Sequence, residues 1–267
     1  MARCGEIGWL HSRQASRGCA YIGTWVGEQL HSKFEMVVGP PWAFPQARCL
    51  YQPSWVPLDA ARRVTPPEIT ILSAFDYTLG GTFVVEWTDS PVGPYKEVAV
   101  LSALVMRGLS LGAWVSHIRV SSESAEEYGK AFWGLPARTV RLHFEPDEDR
   151  EGRGLLDFQS DGSVAVSGWD GWQPVDPSAS RPRRSLLSLP SLSGCLPDER
   201  GGRTSLLRYP LQLGTPRALR LRPPLQVRHS VGVEPALRAL LDGPAACPCI
   251  QIDGVDIVAG EAVVLDE

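Results

Sequence analysis

The sequence contains no long uninterrupted apolar segment. A helix that crosses a bilayer needs about 20 consecutive apolar residues, and no run in the 267-residue chain approaches that length. The first residues also lack the apolar core segment of a secretory signal. These absences predict a soluble protein without a transmembrane segment.

A surplus of basic residues is missing as well. Lys and Arg number 26 against 30 Asp and Glu, so the formal net charge is −4. Proteins that hold nucleic acid usually do so through clustered positive charge. The composition therefore predicts no nucleic-acid partner.

The six cysteines show neither the spacing of a metal site nor that of a redox motif. Cys247 and Cys249 are too close together for a Cys-x-x-Cys motif, and no second pair follows. The remaining four are Cys4, Cys19, Cys49 and Cys195. A chain of this length can bury a sufficient core without disulfides. We predict free thiols, no metal site and no cofactor.

Turn-forming residues and short alternating segments are abundant. The chain has 26 Gly and 23 Pro, which favours a turn-rich β architecture. The segments that we predict as strands are 47–56, 69–74, 81–88, 95–106, 112–121, 139–144, 155–158, 163–167, 186–192, 206–213, 219–221, 225–229 and parts of 250–265. The predicted helices are 58–64, 122–130 and 234–241, and Leu79–Gly81 is predicted as a turn. The fold class is therefore mainly β (α+β), an antiparallel barrel or sandwich with a few short helices.

We expect one continuous domain over residues 38–267, with a flexible connection near 176–184, where Ser, Pro and Arg are frequent. Residues 1–37 form an N-terminal extension. Basic and hydroxyl residues in 1–36 suit a plastid transit peptide, whereas the acidic residues there favour a poorly ordered extension. Both alternatives stay open, and so do plastid and cytoplasmic locations.

The chain is organised around residues 122–144. Ser122 is a suitable N-cap for a helix with acidic residues in its first turn. The sequence Trp133-Gly-Leu-Pro136 then predicts a rigid turn, because Gly134 tolerates positive φ and proline fixes its own. A predicted strand follows, so Ala137 and Arg138 lie where a functional side chain would be well positioned.

This stretch resembles the acetoacetate decarboxylase superfamily, in which Trp-Gly-(Phe/Leu)-Pro precedes two lysines in the true decarboxylases. One of those lysines forms a Schiff base with a β-keto acid. The matching positions here are Ala137, which has no amine, and Arg138, whose guanidinium stays protonated. The resemblance thus implies a related pocket without Schiff-base decarboxylation.

The same resemblance implies further pocket residues. The superfamily places two glutamates and an arginine in its pocket, and Glu86, Glu97 and Arg48 match them. Trp133, Ala137 and Arg138 complete the candidate ligand-binding set. Each also has an ordinary interpretation. Glu86 could point outward from an edge strand, and Glu97 could pair with a surface cation and contribute little.

Within the superfamily, the chain resembles a plant and algal group required for making the xanthophyll neoxanthin. The segments that carry this resemblance are 39–44, 47–51, 74–81, 89–93, 113–114, 134–136, 189–194 and 206–209. The implied function is an accessory protein of carotenoid biosynthesis that binds a small apolar or oxygenated ligand, related to isoprenoids or carotenoids.

Two other interpretations stay open beside it. One is a lyase or isomerase for a small carbonyl or carboxylate substrate, which would use Glu97, Glu86 and Arg138. The other is a scaffold for a partner protein. The hypothesis also allows a homo-oligomer.

Overall fold

The computed structural model describes residues 37–147, 153–159, 164–169, 171–172, 187–197, 204–229 and 232–265. The chain divides into two units, Met1–Gly39 and Pro40–Glu267, and the fold described below belongs to the second. The predicted extension over 1–36 and the predicted connection near 176–184 lie outside the described residues.

Strands make up most of the described chain, with three short helices between them. The strands are β1 (Trp42–Pro57), β2 (Thr70–Ile71), β3 (Ser73–Ala74), β4 (Tyr77–Trp87), β5 (Tyr95–Arg107), β6 (Ser110–Val120), β7 (Ala137–Thr139), β8 (Arg141–Asp147), β9 (Arg153–Gln159), β10 (Val164–Trp169), β11 (Leu187–Pro197), β12 (Thr204–Leu213), β13 (Ala218–Arg222), β14 (Gln226–His229), β15 (Cys249–Ala259) and β16 (Val263–Val264). The helices are α1 (Leu58–Val64), α2 (Glu123–Trp133) and α3 (Pro235–Leu241).

The largest sheet closes on itself. Its strands follow the order β15-β1-β4-β5-β6-β11-β12, and β12 pairs again with β15, which completes a barrel. A second sheet has the order β14-β10-β9-β8. The predicted class, a mainly β barrel with a few short helices, is confirmed. The parallel pairs β6–β11 and β6–β7 were not predicted. They arise because a crossover, such as α2 between β6 and β7, returns the chain in the same direction.

The barrel wall has two surfaces, which we define by the residues they carry. The outer surface carries Leu50, Val84 and Val98, which pack with apolar residues of α1 and α3 in one cluster. The inner surface carries Val85 and Glu97, which are direct cross-strand partners. Since side chains alternate along a strand, neighbours in sequence lie on opposite surfaces.

One predicted turn is wrong. Residues 79–81 lie inside the continuous strand β4, and the actual turn is Phe75–Asp76, where both residues have positive φ. Gly80 and Gly81 instead allow β4 to pack closely against the backbone of its neighbouring strands. A Cβ on Gly80 would lie 2.3 Å from the carbonyl oxygen of Leu101, and one on Gly81 would lie 2.4 Å from that of Gln52.

Another prediction is right only in part. The strand expected over 139–144 is interrupted at Val140, whose N–H donates to the carbonyl of Val120 at 2.9 Å. Its first residue, Thr139, belongs to β7 in the larger sheet, and residues 141–144 belong to β8 in the second sheet. The chain therefore changes sheets at Val140.

We expect Gly80→Ala to lower the free energy of unfolding by about 2–3 kcal/mol, because the added methyl group would meet backbone that cannot move aside. Urea titration would measure it. Gly129→Ala is the matched control: a Cβ there would make ordinary contacts of 3.6 Å or more. Within a helix, alanine is also more favourable than glycine by up to about 1 kcal/mol, so this substitution should not destabilise the protein. Equal effects of the two substitutions would contradict this account of Gly80.

No helix in the described part of the chain is both long enough and apolar enough to cross a bilayer.

Candidate functional site

Helix α2 and the turn after it position the first part of the site. The Ser122 side chain accepts a hydrogen bond from the N–H of Ala125, and Gly134 ends the helix in the left-handed conformation, with φ of 58°. Both features confirm the local predictions. Gly134 returns the chain towards the barrel, so Ala137 pairs with Ile118 of β6. Ala137 is 2% exposed.

Glu97 is a half-buried carboxyl group on the inner surface. Its Oε2 accepts a hydrogen bond of 3.0 Å from the indole Nε1 of Trp87, and the Tyr95 hydroxyl also donates to it. Burial raises the pKa of Glu97 to about 7, while these two hydrogen bonds oppose the shift. A carboxyl group with this pKa can give or accept a proton near neutrality.

Residues from distant strands face Glu97 across the barrel. Burial, and then the charge of Glu97, raise the pKa of both the Cys49 thiol and the Tyr209 hydroxyl. Cys49 is on β1, Glu97 on β5 and Tyr209 on β12, and no two of these strands are adjacent. At least two strands separate Tyr209 from Glu97 in either direction around the ring, so the surface that carries both faces the interior. The inner surface is therefore the inside of the barrel.

Aromatic residues pack around this polar group. The Trp133 ring lies 5.1 Å from that of Trp42 and 6.3 Å from that of Tyr209, measured between centroids. The indole N–H of Trp133 donates to the carbonyl of Gly260 at 2.8 Å, which fixes the ring. Phe44 packs on Trp87 with centroids 4.3 Å apart. The interior thus combines one carboxyl group with apolar and aromatic walls.

Arg48 and Glu86 lie on the outer surface. They are cross-strand partners, and Nη1 of Arg48 is 3.4 Å from Oε2 of Glu86. Glu86 points away from Glu97, because its sequence neighbour Trp87 is the residue that contacts Glu97. The side chains of the pair are 32% and 26% exposed. The pair is too exposed to have a large electrostatic effect on stability.

Arg138 belongs to the outer surface as well. Its register partner is Arg119, whereas Ala137, beside it in sequence, joins an inner cluster with Ile118. His117 lies near these arginines and 3.7 Å from Glu234. Burial, and then Arg119, lower the pKa of His117 to about 4, although Glu234 opposes the shift. This neighbourhood indicates a structural role for His117.

The structure therefore divides the sequence-predicted site. It brings Glu97, Trp133 and Ala137 to the interior, and it places Arg48, Glu86 and Arg138 on the other surface. Sequence reasoning missed several other interior polar residues, among them Cys49, Trp87, Tyr95 and Tyr209. For two of them a signal was available, since Trp87 directly follows Glu86 and Tyr95 lies two residues before Glu97. Tyr209 lies in the resemblance segment 206–209, but no role in the pocket was expected for it.

The described residues hold no group of three or more His, Cys, Asp and Glu side chains that could hold a metal ion. Cys49, Cys247 and Cys249 are free thiols, as predicted, and burial raises the pKa of Cys249 to about 12.

Solved structures share this architecture. An acetoacetate decarboxylase aligns with a TM-score of 0.63 over 86% of this chain and 91% of its own, at 16% identity. The enzyme from Legionella pneumophila gives 0.65 over 87% and 90%, at 14% identity. The chain has the acetoacetate decarboxylase fold. Another protein with this fold is the enduracididine biosynthesis enzyme MppR, solved with pyruvate, with a TM-score of 0.58 over 89% and 95% at 16% identity.

Relatives by sequence match a shorter part. The rice protein NEOXANTHIN-DEFICIENT 1 is 38% identical over 102 residues, which is 38% of this chain and 33% of the rice protein. Its Arabidopsis thaliana namesake is 36% identical over 103 residues, which is 39% of this chain and 36% of that protein. The chain spans about a third of the length of these curated relatives. No model of a known protein family matches it.

Proposed function

We propose that this protein serves neoxanthin formation by binding a small ligand, apolar or oxygenated, inside the barrel, without forming a Schiff base. The similarity to the two plant NEOXANTHIN-DEFICIENT 1 proteins supports the biological role. The fold is compatible with binding of a small molecule, since MppR of the same fold was solved with pyruvate. Ala137, at the position expected for the lysine, supports binding without covalent attachment.

The observation that carries the proposal is Glu97. A carboxyl group is costly to bury in an apolar interior unless it is hydrogen-bonded or protonated. Two donors, Trp87 and Tyr95, hold it there. A polar group maintained in this way between aromatic walls is the usual means by which an apolar site fixes the orientation of a ligand.

We expect this chain to restore neoxanthin in an Arabidopsis line that lacks its own NEOXANTHIN-DEFICIENT 1. The variant Glu97→Leu should restore less than about a tenth of that amount, because it removes the polar group of the interior. Glu86→Gln is the matched control and should restore it fully, since Glu86 lies on the outer surface. Pigment chromatography would measure neoxanthin in plants that carry the unmodified chain, Glu97→Leu or Glu86→Gln. Restoration by Glu97→Leu at the level of the unmodified chain would count against the interior site.

A second candidate function is proton transfer on a bound substrate, as in an isomerase or lyase. The observation that favours it is the pKa of Glu97, raised by burial to about 7, which suits a general acid or base. Because Glu86 and Arg138 lie on the other surface, Glu97 would act with Tyr95 and Tyr209 instead.

Purified protein would be incubated with β-keto acids, 2-oxo acids and enones, and solvent-deuterium incorporation would be followed by NMR. Turnover that Glu97→Gln abolishes and Glu86→Gln retains would support this second function. Without turnover or deuterium exchange, only the binding function would remain.

A further inference from the structure

The cations of the barrel strands lie on the outer surface. Arg48 pairs with Glu86 there, and Arg119 and Arg138 lie together on the side opposite Ala137. Lys96 is the cross-strand partner of Glu86, and its ammonium group lies 5.4 Å from the ring centroid of Phe144 in the second sheet. Among the described residues, no Lys or Arg of a barrel strand lies on the inner surface. A carboxylate ligand would find no countercharge among these strand residues.

The interior charge has the wrong sign for such a ligand. Glu97 carries the interior carboxyl group, and its two donors, Trp87 and Tyr95, are already directed to it. A second carboxylate would be buried beside this group without a cation from the described barrel strands. Burial of an unpaired charge costs more than binding an apolar body of modest size can offset.

Tyr209 supplies the polar group on the facing wall. It is 5% exposed and lies directly opposite Ser191 in the β11–β12 register. Ser191 forms a side-chain hydrogen bond with it. When the Ser191 hydroxyl donates to the Tyr209 oxygen, the phenolic hydrogen remains for a ligand. Since a phenol is both donor and acceptor, Tyr209 suits a hydroxyl or carbonyl oxygen.

We propose that the interior selects neutral ligands with one hydroxyl or carbonyl oxygen, that it rejects carboxylates, and that Tyr209 is the specificity-determining hydrogen-bond partner of that oxygen, opposite Glu97. This inference rests on the proposed function, because it takes the barrel interior as the ligand site. It adds the ligand class and a binding residue that was not among the candidate site residues from the sequence.

The test uses geraniol and geranic acid, two probes with the same apolar body that differ in carrying a hydroxyl or a carboxylate. Isothermal titration of the full chain at pH 7.5 should show geraniol binding about a hundredfold more tightly. Tyr209→Phe should weaken geraniol binding roughly three- to tenfold, the usual effect of one lost hydrogen bond. Tyr77→Phe is the matched control and should change nothing, since Tyr77 is exposed at the other end of β4.

Two variants keep the test decisive. Ser191→Ala should weaken geraniol binding in the same direction if Tyr209→Phe fails to fold. Glu97→Gln should improve geranic acid binding at least about tenfold, because it removes the like charge. Equal affinity for the two probes, or equal effects of Tyr209→Phe and Tyr77→Phe, would overturn the inference and leave the binding function in place. No binding of either probe would reject the interior as a ligand site, and the proposed function with it.

Discussion

Replacing Glu97 by Gln will make the protein progressively more stable, relative to the unmodified chain, as the pH rises from 4 to 8. The carboxyl group has a pKa of about 7 in the folded chain, against an ordinary value of 4.5, because it is buried. Below pH 4.5 both states hold the proton. Between pH 4.5 and 7 the folded state keeps a proton that the unfolded state has released, so the stability of the unmodified chain falls.

The size of the effect follows from the two pKa values. Each unit of difference corresponds to about 1.4 kcal/mol, so the gain of Glu97→Gln over the unmodified chain should reach about 3 kcal/mol above pH 7. Urea unfolding at one-unit pH intervals would measure it. Glu86→Gln supplies the control, because Glu86 is on the outer surface and partly exposed to water. A difference between Glu97→Gln and the unmodified chain that stays constant from pH 4 to pH 8 would show that Glu97 is not buried as described.

Replacing Ala137 by Lys will create a reactive amine inside the barrel. Ala137 is 2% exposed and packs with Ala99, Ile118 and Val120 on the inner surface. Burial disfavours an ammonium ion and should lower the pKa of the new amine by as much as about 3 units, although Glu97 opposes this. Arg138, the next residue in the chain, lies on the other surface and is not directed at the new amine. Burial is thus the stronger cause.

Borohydride trapping with 2,4-pentanedione or acetoacetate at neutral pH, followed by peptide mass spectrometry, should give an adduct at position 137 that the unmodified chain lacks. Arg138→Lys is the matched control. It places the same amine one residue further along β7 but on the outer surface, where it should react no more than Lys96 or Lys130. Position 137 reacting no more than these lysines would remove it from the candidate site.

The ends of helix α2 could be predicted from the sequence, whereas the register of the strands could not. Ser122 as N-cap and Gly134 as C-cap depend on residues within one helical turn, so their sequence pattern was sufficient. Gly80 and Gly81 looked like a turn by the same local reasoning. They instead allow β4 to approach the backbone of β5 and β1, contacts that no local pattern encodes.

The candidate site shows the same difference. Glu86 and Glu97 were both expected in one pocket, but the pairing of Val85 with Glu97 places the two carboxyl groups on opposite surfaces. A shift of one residue in this register would have reversed the assignment. Tyr209 lies across the ring on β12, in a segment of ordinary apolar alternation. It became a candidate only through its position opposite Glu97.

The parallel pairing of β6 with β11 has a consequence for how the protein reaches its folded state. Strands β4, β5 and β6 pair as consecutive antiparallel neighbours, and β1 pairs with β4, so these four can assemble early from nearby chain. Closure requires β11, which pairs with Ala113 and Trp114 far back in the chain, and such distant contacts form slowly. Until then the part of β6 around Ala113 and Trp114, which β7 does not pair with, presents an unpaired edge. An open edge of this kind recruits other chains, so refolding yield should fall steeply as protein concentration rises.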